Sequence, residues 1–321
     1  MKAIVYHKYG SPEVLELQEI DKPVVKDDDV LVRVHAASVN PLDWHLLTGT
    51  PYIARIGAGL LKPKREIPGV DVAGRVELVG RNVQQFQPGD EVFGGSRGAY
   101  AEYVCVPEDR IVLKPANLTF EQAAAVPVAA LTALQGLRDK GQIQLGQEVL
   151  INGASGGVGT FAVQIAKSFG AEVTGVCSTR NVDMVRSIGA DQVVDYTQED
   201  FTRLGQRYDL MLDAVGNRSL SECRRALSPA AVYVSVGAPV GDWIGPLTHV
   251  FKVLLASLVG SQKMVPMLAR QTKKDLVTLQ GLLEAEAVTP VIDRRYKLSE
   301  VPEALQYQGE GHAQGKTVIT M

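Results

Sequence analysis

The pattern of apolar and polar residues changes along the chain. Up to about residue 115, short apolar runs such as those at 30–34, 70–76 and 101–106 alternate with proline and glycine turns. This pattern is typical of a β-rich domain. From about residue 116, strand-like runs alternate with helical patterns, and the predicted strands are 148–152, 172–177, 192–195, 208–213 and 231–236. Such alternation predicts a parallel, doubly wound sheet.

The end of the chain returns to the first pattern. After about residue 290, a strand at 291–296, a short helix and a last strand at 316–320 are predicted to complete the β-rich domain. The predicted fold class is therefore α/β. A β-rich domain covers residues 1–120, completed by 290–321, and a parallel-sheet domain covers 121–289.

A glycine-rich segment follows the first predicted strand of the parallel sheet. It reads Asn152-Gly153-Ala154-Ser155-Gly156-Gly157-Val158-Gly159 and leads into a helical pattern with apolar residues at 161, 162, 165, 166 and 169. A strand, a tight glycine turn and a helix N-terminus together make a pyrophosphate site, because backbone amides and the helix dipole favour an anion. The alternative is an ordinary glycine turn, and the flanking strand and helix favour a dinucleotide site. The predicted contacts are Ala154, Ser155, Gly156, Gly157, Val158 and Gly159.

Composition narrows the class of protein. The 321 residues are 45% hydrophobic and 21% charged, as in ordinary globular proteins. A net charge of −3 counts against a broad nucleic-acid surface. The chain opens on strand-like residues, so no signal or transit peptide is apparent. Cys105, Cys177 and Cys223 lack metal or redox spacing, which fits a reducing environment. A cytoplasmic setting is therefore expected. The apolar run at 250–259 is too short to span a membrane and predicts a buried helix, under a pocket or at a subunit contact.

Four further segments occur in a family-like order. They are Ala37-Ser38-Val39-Asn40-Pro41-Leu42-Asp43, Ile67-Pro68-Gly69-Val70-Asp71-Val72-Ala73-Gly74, Gln87-Pro88-Gly89-Asp90-Glu91-Val92, and Ala124-Ala125-Val126-Pro127 to Leu131-Thr132-Ala133. With the glycine loop, they resemble the medium-chain dehydrogenase/reductase superfamily over nearly the whole chain. The resemblance is closest to the zinc-independent quinone oxidoreductase branch, the zeta-crystallin-like enzymes. It implies a GroES-like catalytic domain, a Rossmann domain and a cleft between them. A homodimer is also expected.

The chain departs from the zinc enzymes of that superfamily. Zinc alcohol dehydrogenases carry a cysteine where Asn40 stands, a histidine-glutamate pair at Val70 and Asp71, and another cysteine near Val128. None of these three places holds a soft zinc ligand here, and the structural four-cysteine lobe is missing. No metal is therefore expected. Without zinc to polarise a carbonyl, alcohol oxidation is the less favoured chemistry.

The cofactor is expected to be NADPH. In NAD enzymes, a carboxylate at the end of the second strand binds the ribose 2′-hydroxyl. Here Ser178 and Arg180 follow that strand and favour a 2′-phosphate, and the resemblance adds Tyr196 beside it. Arg180 could instead be a solvated residue, and Tyr196 a packing aromatic. The resemblance also places Val215 and Val236 at the nicotinamide ribose.

Two further positions of the expected cofactor site carry open questions. Family members place a threonine near the nicotinamide, where this chain has Thr132, which could instead bond its own helix backbone. Ala154 replaces the first glycine of the usual fingerprint, so the tight-turn role of that glycine is not presumed.

Candidate catalytic residues lie in and after the segment 40–45. Asn40 could donate its amide to a developing oxyanion, and His45 stands where zinc relatives keep a proton-relay histidine, although a structural histidine is the alternative. Tyr52 is expected to form a pocket wall. The loop at 52–66 is either a lid over substrate or a surface loop with no contact to ligand.

The expected function is NADPH-dependent hydride transfer to quinones or α,β-unsaturated carbonyls. These acceptors are already electrophilic and need only hydrogen-bond help. Two alternatives remain open at this point. One is an enoyl-thioester reductase of the same superfamily, and the other is an NADPH-binding protein whose main role is interaction.

Overall fold

The chain forms two compact units. The structure is a computed structural model that describes residues 1–52, 55–237, 245–257, 260–311 and 313–321. The first unit comprises Met1–Leu131, Gln271–Glu286 and Pro290–Met321. The second comprises Thr132–Arg270 and Ala287–Thr289.

The elements follow one another in a β-rich first part and an alternating second part. The first part contains β1 (Lys2–Val5), β2 (Glu16–Glu19), β3 (Asp29–Val39), α1 (Pro41–Thr48), α2 (Arg55–Ala58), β4 (Asp71–Val79), β5 (Glu91–Gly95), β6 (Tyr103–Pro107), β7 (Ile111–Leu113) and α3 (Phe120–Ala124). The next part contains α4 (Pro127–Gln135), β8 (Glu148–Asn152), α5 (Gly157–Ser168), β9 (Glu172–Cys177), α6 (Val182–Ser187), β10 (Gln192–Asp195), β11 (Tyr208–Asp213), α7 (Leu220–Arg225) and β12 (Leu227–Ser235). The chain ends with α8 (Gly245–Ala256), β13 (Lys263–Pro266), α9 (Lys273–Glu284), β14 (Ile292–Lys297), α10 (Val301–Gly309) and β15 (Lys316–Thr320).

The first unit is built on a largely antiparallel sheet. Its strand order within the described residues is β14-β15-β3-β4-β5-β7, and β6 pairs with β3. The long strand β3 is rich in valine, and Val30 and Val32 are fully buried in the core. The last strand, β15, joins this sheet by pairing antiparallel with β3, from Thr317 opposite Val39 to Thr320 opposite Ala36. The C-terminal segment is therefore an integral part of the first unit.

Local signals define helix α1, which leaves the carboxyl end of β3. Asn40 is its N-cap residue, in extended conformation, and Pro41 occupies the first helical position. Asp43 completes a capping box, since its Oδ2 accepts the backbone N–H of Asn40 at 2.9 Å. Gly49 ends the helix at φ +63°, a conformation that glycine adopts without strain.

The second unit contains a parallel sheet. Its strand order within the described residues is β10-β9-β8-β11-β12-β13. The centre of β8 is the apolar run Val149, Leu150 and Ile151, and all three side chains are fully buried, as expected for a parallel strand covered on both faces. Helix α5 packs next to this strand with Phe161 and Ile165 fully buried.

The predicted strands of this sheet are confirmed, and one strand was not predicted. The short strand Lys263–Pro266 pairs parallel with β12 at the sheet edge. The run at 250–259 lies in α8 as far as it is described, and within the single chain only part of it is buried. Val253 is fully buried, whereas Phe251, Leu254 and Leu255 are 61%, 51% and 46% exposed.

The unit boundaries differ from the expected domain boundaries of 120 and 290. Helix α9 belongs to the first unit, where the Asn117 side chain donates to Leu283 O at 2.9 Å and Lys273 Nζ donates to Glu108 O at 3.0 Å. An amphipathic helix shows the same periodicity whichever sheet it covers, so the pattern alone could not assign it. In the described part of the chain, no helix is both long enough and apolar enough to span a membrane.

Candidate functional site

The glycine loop ends β8 and leads into α5. Gly153 N and Ala154 N both donate to Val176 O of the neighbouring strand, and Gly156 N donates back to Gly153 O at 3.0 Å. The four amides of Ser155, Gly157, Val158 and Gly159 have no acceptor among the described residues. These unpaired N–H groups stand at the positive end of the α5 dipole, which is the arrangement that binds a pyrophosphate.

Glycine occurs at these positions of the loop for different physical reasons. Gly153 has φ +86°, and a Cβ on Gly159 would come within 2.0 Å of Gly153 O, so the loop itself requires both residues. Gly156 is different, because its φ is −82° and a Cβ there would meet nothing closer than Gly153 O at 3.4 Å. The protein alone does not require glycine at this position. The open space there fits a phosphate group that approaches the backbone closely.

Ala154 has a structural place in the loop. Its side chain is fully buried, and its Cβ would lie 3.0 Å from a Cβ built on Gly175 of β9. It therefore packs the loop against the sheet, and only its backbone remains for a ligand.

Three predicted cofactor residues come together at the carboxyl edge of β9 and β10. Ser178 and Arg180 follow β9, and Tyr196 follows β10, with Tyr196 N donating to Cys177 O at 3.0 Å. The ring of Tyr196 is 51% exposed and Arg180 is exposed, so both side chains lie at the surface of this edge. The loop and this edge meet through Asn181, whose Nδ2 donates to Ser155 Oγ at 3.0 Å.

Sequence reasoning missed two side chains at this edge. The Oδ1 atom of Asn181 is buried and has no hydrogen-bond partner among the described residues, so it is an acceptor available to a ligand donor. Asp195 ends β10 opposite Cys177, and hydrogen bonds, the largest from Thr179, hold the pKa of its carboxyl below the ordinary value. No acid was expected here, because Asp195 lies 18 positions beyond Cys177 and reaches it only through strand pairing.

A buried carboxylate joins the ends of the central strands. Asp213 Oδ1 accepts from Asn152 Nδ2 at 2.9 Å and from the amides of Val215 and Gly216, and its Oδ2 accepts from Tyr233 OH at 2.7 Å. Burial, together with the charge of Asp213, raises the pKa of Tyr233 and keeps its hydroxyl protonated as a donor. This cluster fixes the turn at Val215, which is 43% exposed. The acid at the end of the apolar run 210–212 was its only sequence signal.

Two more predicted cofactor residues belong to the second unit. Val236 directly follows β12, where its N–H donates to Asp213 O at 2.9 Å. Thr132 lies in α4 and is 8% exposed.

The first unit contains a buried polar network around Asp71, at the start of β4. Asp71 Oδ2 accepts from Ser38 Oγ and from Asn40 Nδ2, both at 2.8 Å, and Oδ1 accepts from Val128 N at 3.1 Å. Lys316 Nζ donates to Asn40 Oδ1 at 2.6 Å and to Val39 O at 3.0 Å, and it lies 3.8 Å from Asp71 Oδ2. Asp71 is fully buried and Lys316 is 2% exposed.

Burial dominates the electrostatics of this network. It raises the pKa of Asp71 and lowers the pKa of Lys316, while the attraction between the two charges opposes both shifts. Burial also raises the pKa of Asp43 to about 7, with a further contribution from the negative charge of Asp71. Hydrogen bonding from the Asn40 backbone and from the Tyr100 hydroxyl opposes the shift in the pKa of Asp43.

The network does not fit a tetrahedral zinc ion. Its side chains at the former ligand places are the amide of Asn40 and the carboxylate of Asp71, and the ammonium of Lys316 already provides a cation there. Val70 and Val128 have no side-chain ligand atom. The part of the chain that the structure describes contains no group of three or more His, Cys, Asp or Glu residues able to hold a metal.

Asn40 does not have the surroundings expected for an oxyanion donor. Its side chain is 1% exposed, and its amide oxygen and nitrogen are bound to Lys316 and Asp71. Lys316 and Ser38 were not foreseen as members of this network. The one available signal was a lysine at the head of the predicted last strand, Lys316–Thr320.

His45 and Tyr52 flank the end of α1. His45 is exposed, and its Nδ1 lies 2.8 Å from Thr50 O, so Nδ1 carries the proton and the ring is oriented by this bond. The guanidinium of Arg55 lies 4.5 Å from the ring centre of Tyr52 and 4.4 Å from that of Tyr9. Arg55 Nε also donates to Gly49 O at 2.9 Å. Tyr52 and α2 are therefore held against the end of α1.

The candidate residues do not line the described cavity of the first unit. That cavity has a volume of about 310 Å³ and is lined by Arg33, Val34, His35, Glu102, Tyr103 and Met321. Its lining contains none of the candidate catalytic or cofactor residues.

Comparison with known proteins agrees with the fold and the motifs. Residues 26–116 match the family described as "Alcohol dehydrogenase GroES-like domain", and residues 188–319 match "Zinc-binding dehydrogenase". The chain is 35% identical to "NAD(P)H oxidoreductase RTN4IP1, mitochondrial" of Mus musculus, over 100% of this chain and 89% of that protein. It is 35% identical to "2-methylene-furan-3-one reductase" of Solanum lycopersicum, over 99% of this chain and 79% of that protein.

A solved structure gives the same result. The quinone oxidoreductase from Coxiella burnetii superposes with a TM-score of 0.88 at 31% identity, over 100% of this chain and 99% of that one. The chain belongs to the medium-chain dehydrogenase/reductase superfamily, in its quinone oxidoreductase branch. The expected oxidoreductase class and the expected pairing of a Rossmann domain with a GroES-like domain are thereby confirmed.

Proposed function

We propose that this chain is an NADPH-dependent, zinc-independent reductase of quinones or α,β-unsaturated carbonyl compounds. The observation that carries the proposal is the loop before α5, with its four unpaired amides and the open space at Gly156. The names of the relatives agree with this chemistry. One is an NAD(P)H oxidoreductase, and the other reduces a conjugated methylene ketone.

The residues of the second unit would hold the cofactor along the edge of the sheet. The amides of Ser155, Gly157, Val158 and Gly159 would bind the pyrophosphate, beside Gly156. Val215 and Val236 would flank the nicotinamide ribose, and Thr132 the nicotinamide. Ser178, Arg180 and Tyr196 would bind the 2′-phosphate of the adenosine.

Asp195 bears on the choice between NADPH and NADH. A free carboxylate at this edge would repel a 2′-phosphate. Asp195 stays ionised, because hydrogen bonds from Thr179 Oγ1 at 2.6 Å and from Thr197 Oγ1 at 2.8 Å lower its pKa, and they direct its oxygens to these two hydroxyls. The guanidinium of Arg180 supplies the positive charge that favours NADPH.

The acceptor chemistry follows from the donors available in the first unit. Bound NADPH would supply a hydride, and negative charge would develop on the acceptor oxygen. The Nδ1–H of His45 donates a hydrogen bond to Thr50 O. Nε2 is therefore the ring atom that could exchange a proton with the oxygen of the acceptor molecule. Tyr52, stacked on Arg55, would form a wall of the pocket. Asn40 would act indirectly, by fixing the start of the helix that carries His45.

The test is an acceptor panel followed by NADPH absorbance. We expect turnover with 1,4-naphthoquinone and trans-2-hexenal, and little oxidation of ethanol by NADP⁺, because no strong Lewis acid activates an alcohol. His45→Ala should lower kcat more than it raises KM. Reduction of crotonyl-CoA with inertness towards both simple acceptors would instead indicate a thioester reductase. Tight NADPH binding without any turnover would indicate an interaction protein.

We also propose that the enzyme is a homodimer. The exposed face of α8 presents Phe251, Leu254 and Leu255, and the neighbouring strand β13 is a sheet edge within the described residues. Apolar surface of this kind is usually covered by a partner. Sedimentation equilibrium should give twice the chain mass of 34.6 kDa, and Phe251→Glu with Leu254→Glu should shift the distribution towards monomer.

A cytoplasmic location remains part of the proposal. Cys105, Cys177 and Cys223 are all unpaired, and burial raises the pKa of each thiol, so they are unreactive under reducing conditions. The mouse relative is named as mitochondrial. Cell fractionation with detection of the native chain decides between these compartments.

A further inference from the structure

Three arginines come together at one edge of the antiparallel sheet although they lie on separate segments. Arg65 precedes β4, Arg97 follows β5 and Arg110 precedes β7. The segment after Arg65 is bonded to the segment around Arg97, since Ser96 N donates to Val70 O at 2.7 Å and Gly98 N to Gly69 O at 2.9 Å. Strands β5 and β7 pair with Gly94 opposite Ile111, which brings Arg110 to the same place.

Among the described residues, no carboxylate is ion-paired to the three guanidinium groups. None of them forms an ion pair or a side-chain hydrogen bond there, whereas Arg75 and Arg81 of the same unit are paired with Glu91 and Asp27 at 2.8 Å. The pKa of Arg65 is lowered by burial and then by the positive charges of Arg97 and Arg110. These three cations therefore repel one another.

Three carboxylates neighbour the cluster in the chain, those of Glu66, Glu108 and Asp109, and the first two are engaged elsewhere. Glu66 lies 3.3 Å from His7 Nδ1. Glu108 Oε1 accepts the backbone amides of Gln84 and Gln85 at 2.9 and 2.7 Å. Asp109 acts electrostatically on Lys273 and forms no ion pair with the three arginines among the described residues, so the cluster keeps a net positive charge that a ligand or solvent ions can meet.

The backbone around Arg97 leaves room for a ligand. Gly98 has φ +98°, and a Cβ there would meet nothing closer than Ile67 at 3.6 Å. The adjacent Ser96 hydroxyl is buried and has no hydrogen-bond partner among the described residues. Gly95 pairs with Asp71, whose carboxylate binds Asn40 at the start of α1. The cluster therefore lies one strand away from the network that holds α1.

We propose that Arg65, Arg97 and Arg110 form a subsite for an anionic group, a carboxylate or a phosphate, carried by the acceptor molecule. Guanidinium groups bind both kinds of anion in bidentate fashion, and the anion would relieve the repulsion among the three charges. This inference rests on the proposed reductase function and names its substrate class as acidic enones or quinones. The subsite would lower KM for such acceptors and leave hydride transfer itself to the groups described above.

Matched acceptors test the subsite. The probes are 4-phenylbut-3-en-2-one and its para-carboxylate, which share the conjugated ketone and differ in charge. We expect a higher kcat/KM for the carboxylate, and Arg97→Gln or Arg65→Gln should lower the ratio of carboxylate to neutral kcat/KM by about tenfold, mainly through KM. Arg81→Gln removes an arginine of the same unit that is paired with Asp27, and it should leave the ratio unchanged.

A thermal shift separates the subsite from the reductase function. Inorganic phosphate should raise the melting temperature of the unmodified protein and of Arg81→Gln more than that of Arg97→Gln. Turnover of the neutral enone with an unchanged ratio in all variants would overturn the subsite and leave the reductase intact. Inertness towards both enones would overturn the reductase, and the phosphate shift would then decide whether the anion site exists. An equal phosphate-induced rise in melting temperature in all variants would overturn the anion subsite.

Discussion

The ammonium of Lys316 lies 2.6 Å from the side-chain oxygen of Asn40, although the two residues are 276 positions apart. The last strand of the chain thus delivers a cation to the N-cap residue of α1. Asp71 lies beside it and accepts three hydrogen bonds from the first unit. A lysine cation within a fixed polar network holds α1 in this chain.

Removal of the lysine charge should destabilise the protein. Lys316→Met leaves the buried carboxylate of Asp71 without its cation, and we expect a loss of about 3–5 kcal/mol in the free energy of unfolding, measured by urea titration at pH 7. The double variant Lys316→Met with Asp71→Asn should regain part of this loss. Lys22→Met, at an exposed pair with Glu77, is the control. A single variant as stable as the parent would contradict the ion pair.

The buried carboxyl of Asp43 should make stability depend on pH. Its pKa is about 7 in the folded protein, against an ordinary value of 3.8. Because the folded state keeps this proton after the unfolded state has lost it, the stabilisation is complete below about pH 4 and declines as the pH rises to 7. Asp43→Asn removes this decline. The free energy of unfolding of the variant, relative to that of the parent, should therefore be higher at pH 8 than at pH 5. Urea titration at pH 5 and at pH 8 measures the free energy of unfolding, and Asp21→Asn, at an exposed residue, is the control. Equal gains at the two values would refute the shifted pKa.

Substitution by valine should have different effects at Gly156 and at Gly159 of the loop. A Cβ at Gly156 meets nothing closer than Gly153 O at 3.4 Å, so we expect Gly156→Val to fold with little change in melting temperature while its NADPH dissociation constant rises by at least about tenfold. Gly159→Val clashes with Gly153 O and should lower the melting temperature. Gly281→Val, on an open face of α9, is the control for affinity. Calorimetry that finds full NADPH affinity in Gly156→Val would exclude the loop from the site.

Cofactor preference should depend on the edge formed by β9 and β10. We expect kcat/KM to be at least about tenfold higher with NADPH than with NADH, which corresponds to about 1.4 kcal/mol. Arg180→Ala and Tyr196→Ala should reduce this preference by weakening the use of NADPH, whereas Arg203→Ala, at an exposed arginine beyond the strand ends, should not. Equal efficiency with both cofactors in the parent protein would mean that these residues do not read the 2′-phosphate.

Metal content tests the interpretation of the Asn40 and Asp71 network. Elemental analysis of the purified protein should find well under one zinc per chain, and dialysis against a chelator should leave the NADPH-dependent activity intact. Addition of zinc afterwards should not increase that activity. Stoichiometric zinc together with loss of activity on chelation would show that the network binds a metal.

The sequence by itself determined the elements whose signals are local. The β8 strand, the glycine loop and α5 follow from an apolar run, glycine spacing and a helical repeat within about twenty residues. The start of α1 is equally local, because Asn40, Pro41 and Asp43 contribute the cap within four positions. The alternation of strands and helices also predicted the parallel sheet.

Only the tertiary structure decided which distant side chains meet. Strand pairing places Lys316 against Asn40 and Asp195 opposite Cys177, and helix α9 joins the first unit although it follows the strands of the second. Periodicity records which face of an element is apolar, and it carries no information about which element covers that face. The partner of a buried charge depends on strand register and chain topology, so the candidate network and the arginine cluster emerged only from the fold.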